Sequence, residues 1–262
     1  MNKSNDKIKT ETEKDSKALS LYRPYGWRGQ IGLICPSTNT SIEPEFHLLA
    51  PKGVAIHVAR AFQDGAQEPK LYRQIAKNVK LASQDLKSAR VDVITFGCTS
   101  CSYFVPADEL RKTMTEFSEA PAILTTDAVV EAFKTIGASR IALATPRTDF
   151  VNKRECEWFE EQGFNVVSVK GLQMGKTALE RANIGRIPPE ATFRLAMAVN
   201  HPSAEAIFIS CTNLPSLSVI SRLENELNKP VITSNQATFW RALRVMGSNI
   251  NISGFGTLLE KF

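Results

Sequence analysis

Histidine is scarce here, three in 262 residues, and His47, His57 and His201 share no ligand-like spacing, so no histidine metal set can be read from the chain. No apolar run approaches the roughly eighteen residues a membrane-spanning helix needs. Met1 to Ser20 lacks the continuous apolar core of an export signal and mixes acids with its lysines; residues 1–26 are expected to be a solvated, disordered leader. Cysteine is limited to five residues, Cys35, Cys98, Cys101, Cys156 and Cys211, an odd number that cannot all pair. With no export signal, reduced thiols in the cytoplasm are the expectation. No glycine-rich phosphate fingerprint follows the first apolar strand, which excludes the usual dinucleotide site. The net charge of +5 is also misleading, because residues 1–28 hold seven Lys/Arg against four acids and leave the rest nearly neutral. Nucleic acid is therefore not an expected partner, and neither is a membrane.

What the chain does have is alternation. With 43% apolar residues it can bury a large core or two smaller ones. Gln30–Cys35, Val54–Phe62, Val91–Phe96, Pro121–Leu124, Arg140–Ala144, Asn165–Val169, Ala206–Ser210 and Val231–Thr233 read as short buried strands. Between them lie amphipathic helical patterns. The clearest is 69–88, where Leu71, Ile75, Val79, Ala82 and Leu86 fall on one face. Residues 171–187 are less regular. The halves also superpose in sequence. Ile31-Gly-Leu-Ile-Cys-Pro-Ser-Thr-Asn matches Ile141-Ala-Leu-Ala-Thr-Pro-Arg-Thr-Asp, Cys98-Thr99 matches Cys211-Thr212, and the Pro121 strand matches the Pro230 strand, at offsets of 110, 113 and 109. Three matches in one order imply an internal duplication.

The expected fold is α/β, with two pseudo-two-fold-related Rossmann-like lobes, each a short parallel sheet flanked by helices. One lobe should span 27–123, joined by the C-terminal helix 236–262, and the other 124–235. Ligands of open parallel sheets bind beyond the carboxyl ends of the strands, so the site is expected in the interlobe cleft.

Two cysteines sit at such ends. Val91-Asp-Val-Ile-Thr-Phe-Gly-Cys98 and Ala206-Ile-Phe-Ile-Ser-Cys211 each run from an apolar strand through a small residue to a thiol among hydroxyl and amide neighbours. A thiolate can add to an activated double bond or take a proton from carbon, and a facing thiol can return one. Thr99, Ser100, Thr212 and Asn213, with free backbone N–H groups at strand-to-helix turns, suit a carboxylate cradle. Cys35 and Cys156 read as small buried hydrophobes. Cys98 and Cys101 form a C-x-x-C, but with no second pair nearby it supports neither a full zinc set nor a clear redox site; Cys101 is expected to pack behind the turn.

Cys-Pro-Ser-Thr-Asn-Thr-Ser-Ile-Glu-Pro-Glu at 35–45, Gly-Cys-Thr-Ser at 97–100 and Ser-Cys-Thr-Asn-Leu-Pro-Ser at 210–216 resemble the aspartate/glutamate racemase superfamily. Within it they are most similar to the branch of maleate cis–trans isomerases, arylmalonate decarboxylases and racemase-like proteins of ectoine catabolism. The resemblance spans about residues 27–250. It implies a cofactor-independent enzyme acting on a small carboxylic acid, with Cys98 and Cys211 as the catalytic pair and no metal. Asn39 and Ser37 would help hold substrate, and Asn39 also suits a helix cap. Maleate-type isomerisation is implied first. The alternatives are racemisation of an amino acid or N-acyl amino acid and arylmalonate-type decarboxylation, the last disfavoured by Cys98, since the decarboxylases carry glycine there. Outside catalysis, a carboxylate-binding or thiol-redox protein remains the competing class. The resemblance also implies a dimer or larger homo-oligomer. One departure stands out, because Arg147 replaces the usual tyrosine that contacts substrate carboxylate; it either binds an acidic group or faces solvent.

Overall fold

The structure, a computed structural model, describes residues 23–262. Most of the expected leader thus lies outside the described residues. Its described end is tied down, with Arg23 Nη1 donating to both carboxylate oxygens of Asp92 at 2.8 and 2.9 Å.

Among the described residues eight strands form two four-stranded sheets, all pairs parallel. The first contains β1 (Gly29–Pro36), β2 (Val54–Ala61), β3 (Val93–Phe96) and β4 (Ala122–Leu124), in the order β2-β1-β3-β4. The second contains β5 (Arg140–Thr145), β6 (Asn165–Gly171), β7 (Ala206–Ile209) and β8 (Val231–Thr233), in the order β6-β5-β7-β8. The second order is the first repeated, as a duplication requires. Register repeats too: Ile31 lies opposite Val93 as Ile141 lies opposite Ala206, and Ile94 opposite Ala122 as Ile207 opposite Val231. Every residue of β3 and β7 is buried, as expected of central parallel strands covered on both faces.

The helices among the described residues are α1 (Ile42–Leu49), α2 (Pro69–Ser88), α3 (Cys101–Phe104), α4 (Ala107–Ser118), α5 (Thr125–Ile136), α6 (Asp149–Glu161), α7 (Ala178–Asn183), α8 (Pro189–Val199), α9 (Ile220–Leu227), α10 (Ser234–Val245) and α11 (Thr257–Lys261). Helix α2 runs over exactly the span its apolar spacing marks, and buries Leu71, Ile75, Val79, Ala82 and Leu86. It also explains Gly32, a strand glycine without an evident sequence role. A Cβ there would meet Val91 and Leu86 side chains at 3.0 and 3.1 Å, so glycine lets α2 lie close to β1. The irregular stretch before α8 carries α7 and a 3-10 turn, Ile184–Arg186, too short to leave a periodic signal. Helix α3 is a single turn, and α11 likewise escapes a reading based on periodicity.

The two lobes meet through equivalent helices. Helices α5 and α10, each following the fourth strand of its sheet, pack on one another. Thr238 donates to the Thr125 hydroxyl at 2.9 Å, and Phe239 meets Phe46 of α1 edge-on with centroids 5.3 Å apart. One hydrophobic cluster therefore runs from the inner face of the first sheet through the whole second lobe, while a second cluster lies beneath α2 and α4.

A buried carboxylate pins the lobes polarly as well. Glu45 on α1 accepts from the Ser216 and Leu217 N–H groups at 2.8 and 3.0 Å and from Asn235 Nδ2 at 2.6 Å. Burial raises the Glu45 pKa, and these three donors oppose the rise. Glu45→Ala would leave three buried donors without an acceptor. At about 1–3 kcal/mol for a stranded group, an overall loss on the order of 3 kcal/mol is expected in urea unfolding, with Glu45→Gln losing less.

Candidate active site

Strands β3 and β7 end at the mouth between the lobes, and a cleft of about 460 Å³, counted out to its opening, lies over both ends. Cys98 and Cys211 both line it and are 8% and 9% exposed. The turn after β3 begins with Gly97, where a Cβ would press to 2.6 Å from Ile42, so glycine lets α1 seat against the turn. Cys211 holds φ at +144°, a conformation unfavourable for any residue with a Cβ. The backbone around Cys211 must therefore be held by its neighbours.

It is held by a hydrogen-bonded seam that crosses between lobes. The Cys211 N–H donates to Ser234 Oγ at 3.1 Å, and Ser234 Oγ lies 3.0 Å from the Thr99 hydroxyl. In the reciprocal contact, the Thr212 hydroxyl donates to the Gly97 carbonyl at 2.8 Å and accepts from Asn39 Nδ2 at 3.1 Å. Asn39 Oδ1 takes the N–H groups of Ser41 and Ile42, so this one buried side chain both caps α1 and reaches the opposite lobe. Asn213 returns the contact: its Oδ1 accepts from Thr40 N–H at 2.9 Å and its carbonyl from the Ser41 hydroxyl at 2.8 Å.

The cleft brings together nearly all the residues the sequence singles out. Asn39, Thr99, Ser100, Arg147, Thr212 and Asn213 line it with the two thiols. Ser37 does not. It is half-buried, and its hydroxyl accepts from the Gln63 N–H at 3.1 Å; the neighbouring Thr38 lines the cleft in its place. The side chain at 37 points along the edge beside β2, because Ser37 still continues the β1 pairing through its N–H to Ala61. Cys35 is fully buried with its thiol pushed up to about 11 by burial, and Cys156 is half-buried and pushed up to about 12 for the same reason. Neither lines the cleft.

The two thiols are electrostatically unlike. Cys98 is held below the ordinary thiol value, chiefly because the Cys101 thiol can donate to its thiolate; burial opposes this, and the Cys101 N–H and the charges of Arg147 and Arg181 support it. With Cys98 protonated, the Cys101 thiol donates to the Tyr72 carbonyl, 3.5 Å away, and it would turn to Cys98 as the thiolate forms. Cys101, fully buried behind the turn, is raised by the same interaction. Cys211 moves the other way. Burial raises it, with Cys98 and Glu155 adding to the rise and Arg147 and the Asn213 N–H opposing it. One thiol is thus disposed to ionise and the other to keep its proton, the separation that assigns base and acid in a paired site.

Arg147 does not face solvent. Only 1% exposed, it donates from Nη1 to Glu155 Oε2 and to the Ser210 hydroxyl, both at 2.8 Å. Glu155 is wholly buried and also accepts from Tyr103 at 2.8 Å and from Ser210. The guanidinium charge in the cleft wall is therefore matched by an internal carboxylate through Nη1, while Nε and Nη2 have no hydrogen-bond partner among the described residues. Sequence reasoning did not find Glu155, which sits mid-helix in α6 without any motif. It also missed Tyr72 and Arg181 in the cleft wall, since α2 and α7 carry no signal beyond apolar spacing, and Gln63 and Gln67, which lie in the loop between β2 and α2. Among the described residues no cluster of three or more His, Cys, Asp or Glu is placed to hold a metal, and no helix is long and apolar enough to cross a membrane.

The thiol asymmetry has a direct readout. Iodoacetamide at neutral pH should label Cys98 first and Cys211 much more slowly, followed by peptide mass mapping. The Cys98 labelling rate should reach half its maximum at a pH below that of an ordinary thiol, and Cys101→Ser should slow it at neutral pH less than Cys101→Ala, since a hydroxyl can still donate.

Residues 31–259 match the arylmalonate decarboxylase family. The maleate isomerase of Alcaligenes faecalis is 24% identical over 247 residues, covering 88% of this chain and 96% of its own. The arylmalonate decarboxylase of Bordetella bronchiseptica is 25% identical over 236 residues, covering 86% and 97%. Among solved structures, a cysteine-to-serine variant of the Nocardia farcinica maleate cis-trans isomerase with a covalently bound succinylcysteine intermediate superposes with a TM-score of 0.83 at 22% identity, over 89% of this chain and 99% of that one. The duplicated parallel sheets, the interlobe cleft and this match over most of the chain place the protein in the arylmalonate decarboxylase family, within the aspartate/glutamate racemase superfamily.

Proposed function

We propose that the protein is a cofactor-independent cis–trans isomerase of a small unsaturated dicarboxylic acid, with maleate as the type substrate. The observation that carries this reading is the pair of thiols, Cys98 and Cys211, that line one cleft from the ends of equivalent strands; their opposite protonation tendencies agree with it. Four of the curated relatives with which the chain aligns are maleate isomerases, and one solved relative holds its intermediate as a succinylcysteine.

In this reading the Cys98 thiolate adds to one carbon of the double bond, and the π electrons move into the conjugated carboxylate. The central bond is then single and rotates. Cys211, kept protonated by burial, can give its proton to the carbanionic carbon and take it back before the C–S bond breaks, so no atom is gained or lost. The charge that collects on the carboxylate needs donors that are already in place. The N–H groups of Thr99, Ser100 and Thr212 find no acceptor among the described residues, and the Asn39 and Asn213 side chains stand beside them. Arg147 contributes a positive edge close to both thiols while Glu155 restrains its net charge. Decarboxylation is disfavoured, because Cys98 occupies the position where the decarboxylases carry glycine.

The two lobes, 27–123 with 236–262 and 124–235, would act as the two walls of this cleft. A reducing compartment such as the cytoplasm would keep both thiols free, and assembly as a homo-oligomer is part of the same family reading.

Proton NMR of the reduced protein with maleate tests the proposal. The fumarate signal should appear with wild type. Cys98→Ser should remove it to background, and Cys211→Ser should cut turnover by roughly 10²-fold or more, the scale of a lost acid–base group. The pH profile of kcat/KM should rise as Cys98 ionises, below the ordinary thiol value, and fall as Cys211 loses its proton above it. Deuterium entering the α-carbon of an amino acid, with maleate untouched, would transfer the assignment to a racemase.

A further inference from the structure

Two polar side chains in the cleft wall have no direct hydrogen bond to either thiol, although the charge of one of them, Arg181, favours the Cys98 thiolate. Tyr72, on α2, is 2% exposed and lines the cleft, and its hydroxyl has no well-formed hydrogen bond among the described residues, although the Ser100 side chain lies near it. Its ring is stacked on Phe104 with centroids 4.5 Å apart and planes parallel, so the hydroxyl cannot swing out of the cleft without breaking that contact. Arg181, on α7, is 5% exposed and lines the same cleft from the other lobe. It donates from Nε to the Gly65 carbonyl at 2.8 Å and from Nη1 to the Thr38 hydroxyl at 3.1 Å.

Both acceptors of Arg181 are neutral. Among the described residues no carboxylate lies within ion-pair distance of it; Asp64, whose charge reaches it most strongly, is exposed, and the Cys98 thiolate is the other anion close enough to act on it at neutral pH. Arg147, by contrast, is neutralised by Glu155. The cleft wall therefore carries a cation with no carboxylate partner, beyond the more distant Cys98 thiolate, and a hydroxyl with no well-formed hydrogen bond. A buried cation and a buried orphan hydroxyl are each costly, and an anion held between them would relieve both.

We propose that Tyr72 and Arg181 hold the second carboxylate of the substrate, leaving the first to the N–H groups of the two cysteine turns. This rests on the isomerase reading for the chemistry but not for the binding. It moves the role of carboxylate anchor away from Arg147, the replacement for the family's tyrosine, to a tyrosine and an arginine on two other helices. Burial raises the Tyr72 pKa, which keeps the phenol protonated as a donor at neutral pH. A monocarboxylate would leave both groups unmatched, so the pair selects for a dianion.

Succinate and butyrate differ by this second carboxylate, and neither has a double bond for Cys98 to attack. In calorimetric titrations of the full chain, wild type should bind succinate at least about tenfold more tightly than butyrate, and Tyr72→Phe and Arg181→Gln should each weaken succinate about tenfold with butyrate within about twofold. Arg181→Lys should recover part of the loss. Equal affinity of wild type for the two acids would overturn the proposal. So would unchanged succinate affinity in variants that melt at the wild-type temperature. If Arg181→Gln lowers the melting temperature and weakens both acids equally, Arg181 is a clamp between Gly65 and α7 and the proposal fails. Absence of maleate turnover, with the succinate preference present and lost in the variants, would remove the isomerase reading and leave this one standing.

Discussion

The site depends on the hydrogen-bonded seam at the carboxyl ends of β3 and β7. Each lobe supplies a hydroxyl that satisfies the other lobe's turn: Thr212 reaches the Gly97 carbonyl, and Thr99 meets Ser234, which in turn takes the Cys211 N–H. Isolated, each turn would present unpaired polar backbone to the cleft, and Cys211 could not hold its positive φ. Joined, they fix two thiols over one cavity. The seam is buried, so its bonds are stronger than the same contacts would be in water, and their loss would strand partners on both sides.

Duplication makes that seam possible. Two copies of one sheet order, related by a pseudo-two-fold axis through the packed pair α5 and α10, bring equivalent strand ends face to face. Symmetry of the backbone does not carry over to the chemistry. Cys98 has Cys101 one turn behind it as a donor, whereas the equivalent position beyond Cys211 is Leu214, which cannot donate. Glu155 lies near Cys211 and raises it further. One ancestral turn has thus become a thiolate site and the other a thiol site through the residues packed around them.

Charge in the cleft follows the same division. Arg147 is held by Glu155, Ser210 and, through the shared carboxylate, Tyr103. A lone arginine at this depth would dominate both thiols, and the carboxylate moderates it. Removing one member of such a buried pair leaves an uncompensated charge, which is more damaging than never having had the pair. Arg181 has no such partner among the described residues, and its charge is left to the cleft.

The sequence by itself determined the alternating strands and helices, the apolar face of α2, the duplication, and the placement of Cys98 and Cys211 at strand ends, because each of these is carried by local periodicity or by residue order. It also marked Asn39, Thr99, Ser100, Thr212 and Asn213, which adjoin the motifs. Only the tertiary structure decided that Ser37 turns away from the cleft and Thr38 toward it, since that depends on the pairing of the chain beyond β1 with the end of β2. It alone decided that Arg147 meets Glu155, eight residues along the chain but one buried contact away, and that Tyr72 and Arg181, far apart in sequence, share a cavity. Those facts arise from the way helices lie across sheets. Helix spacing records which face is buried, but not which polar groups from another element that face will meet.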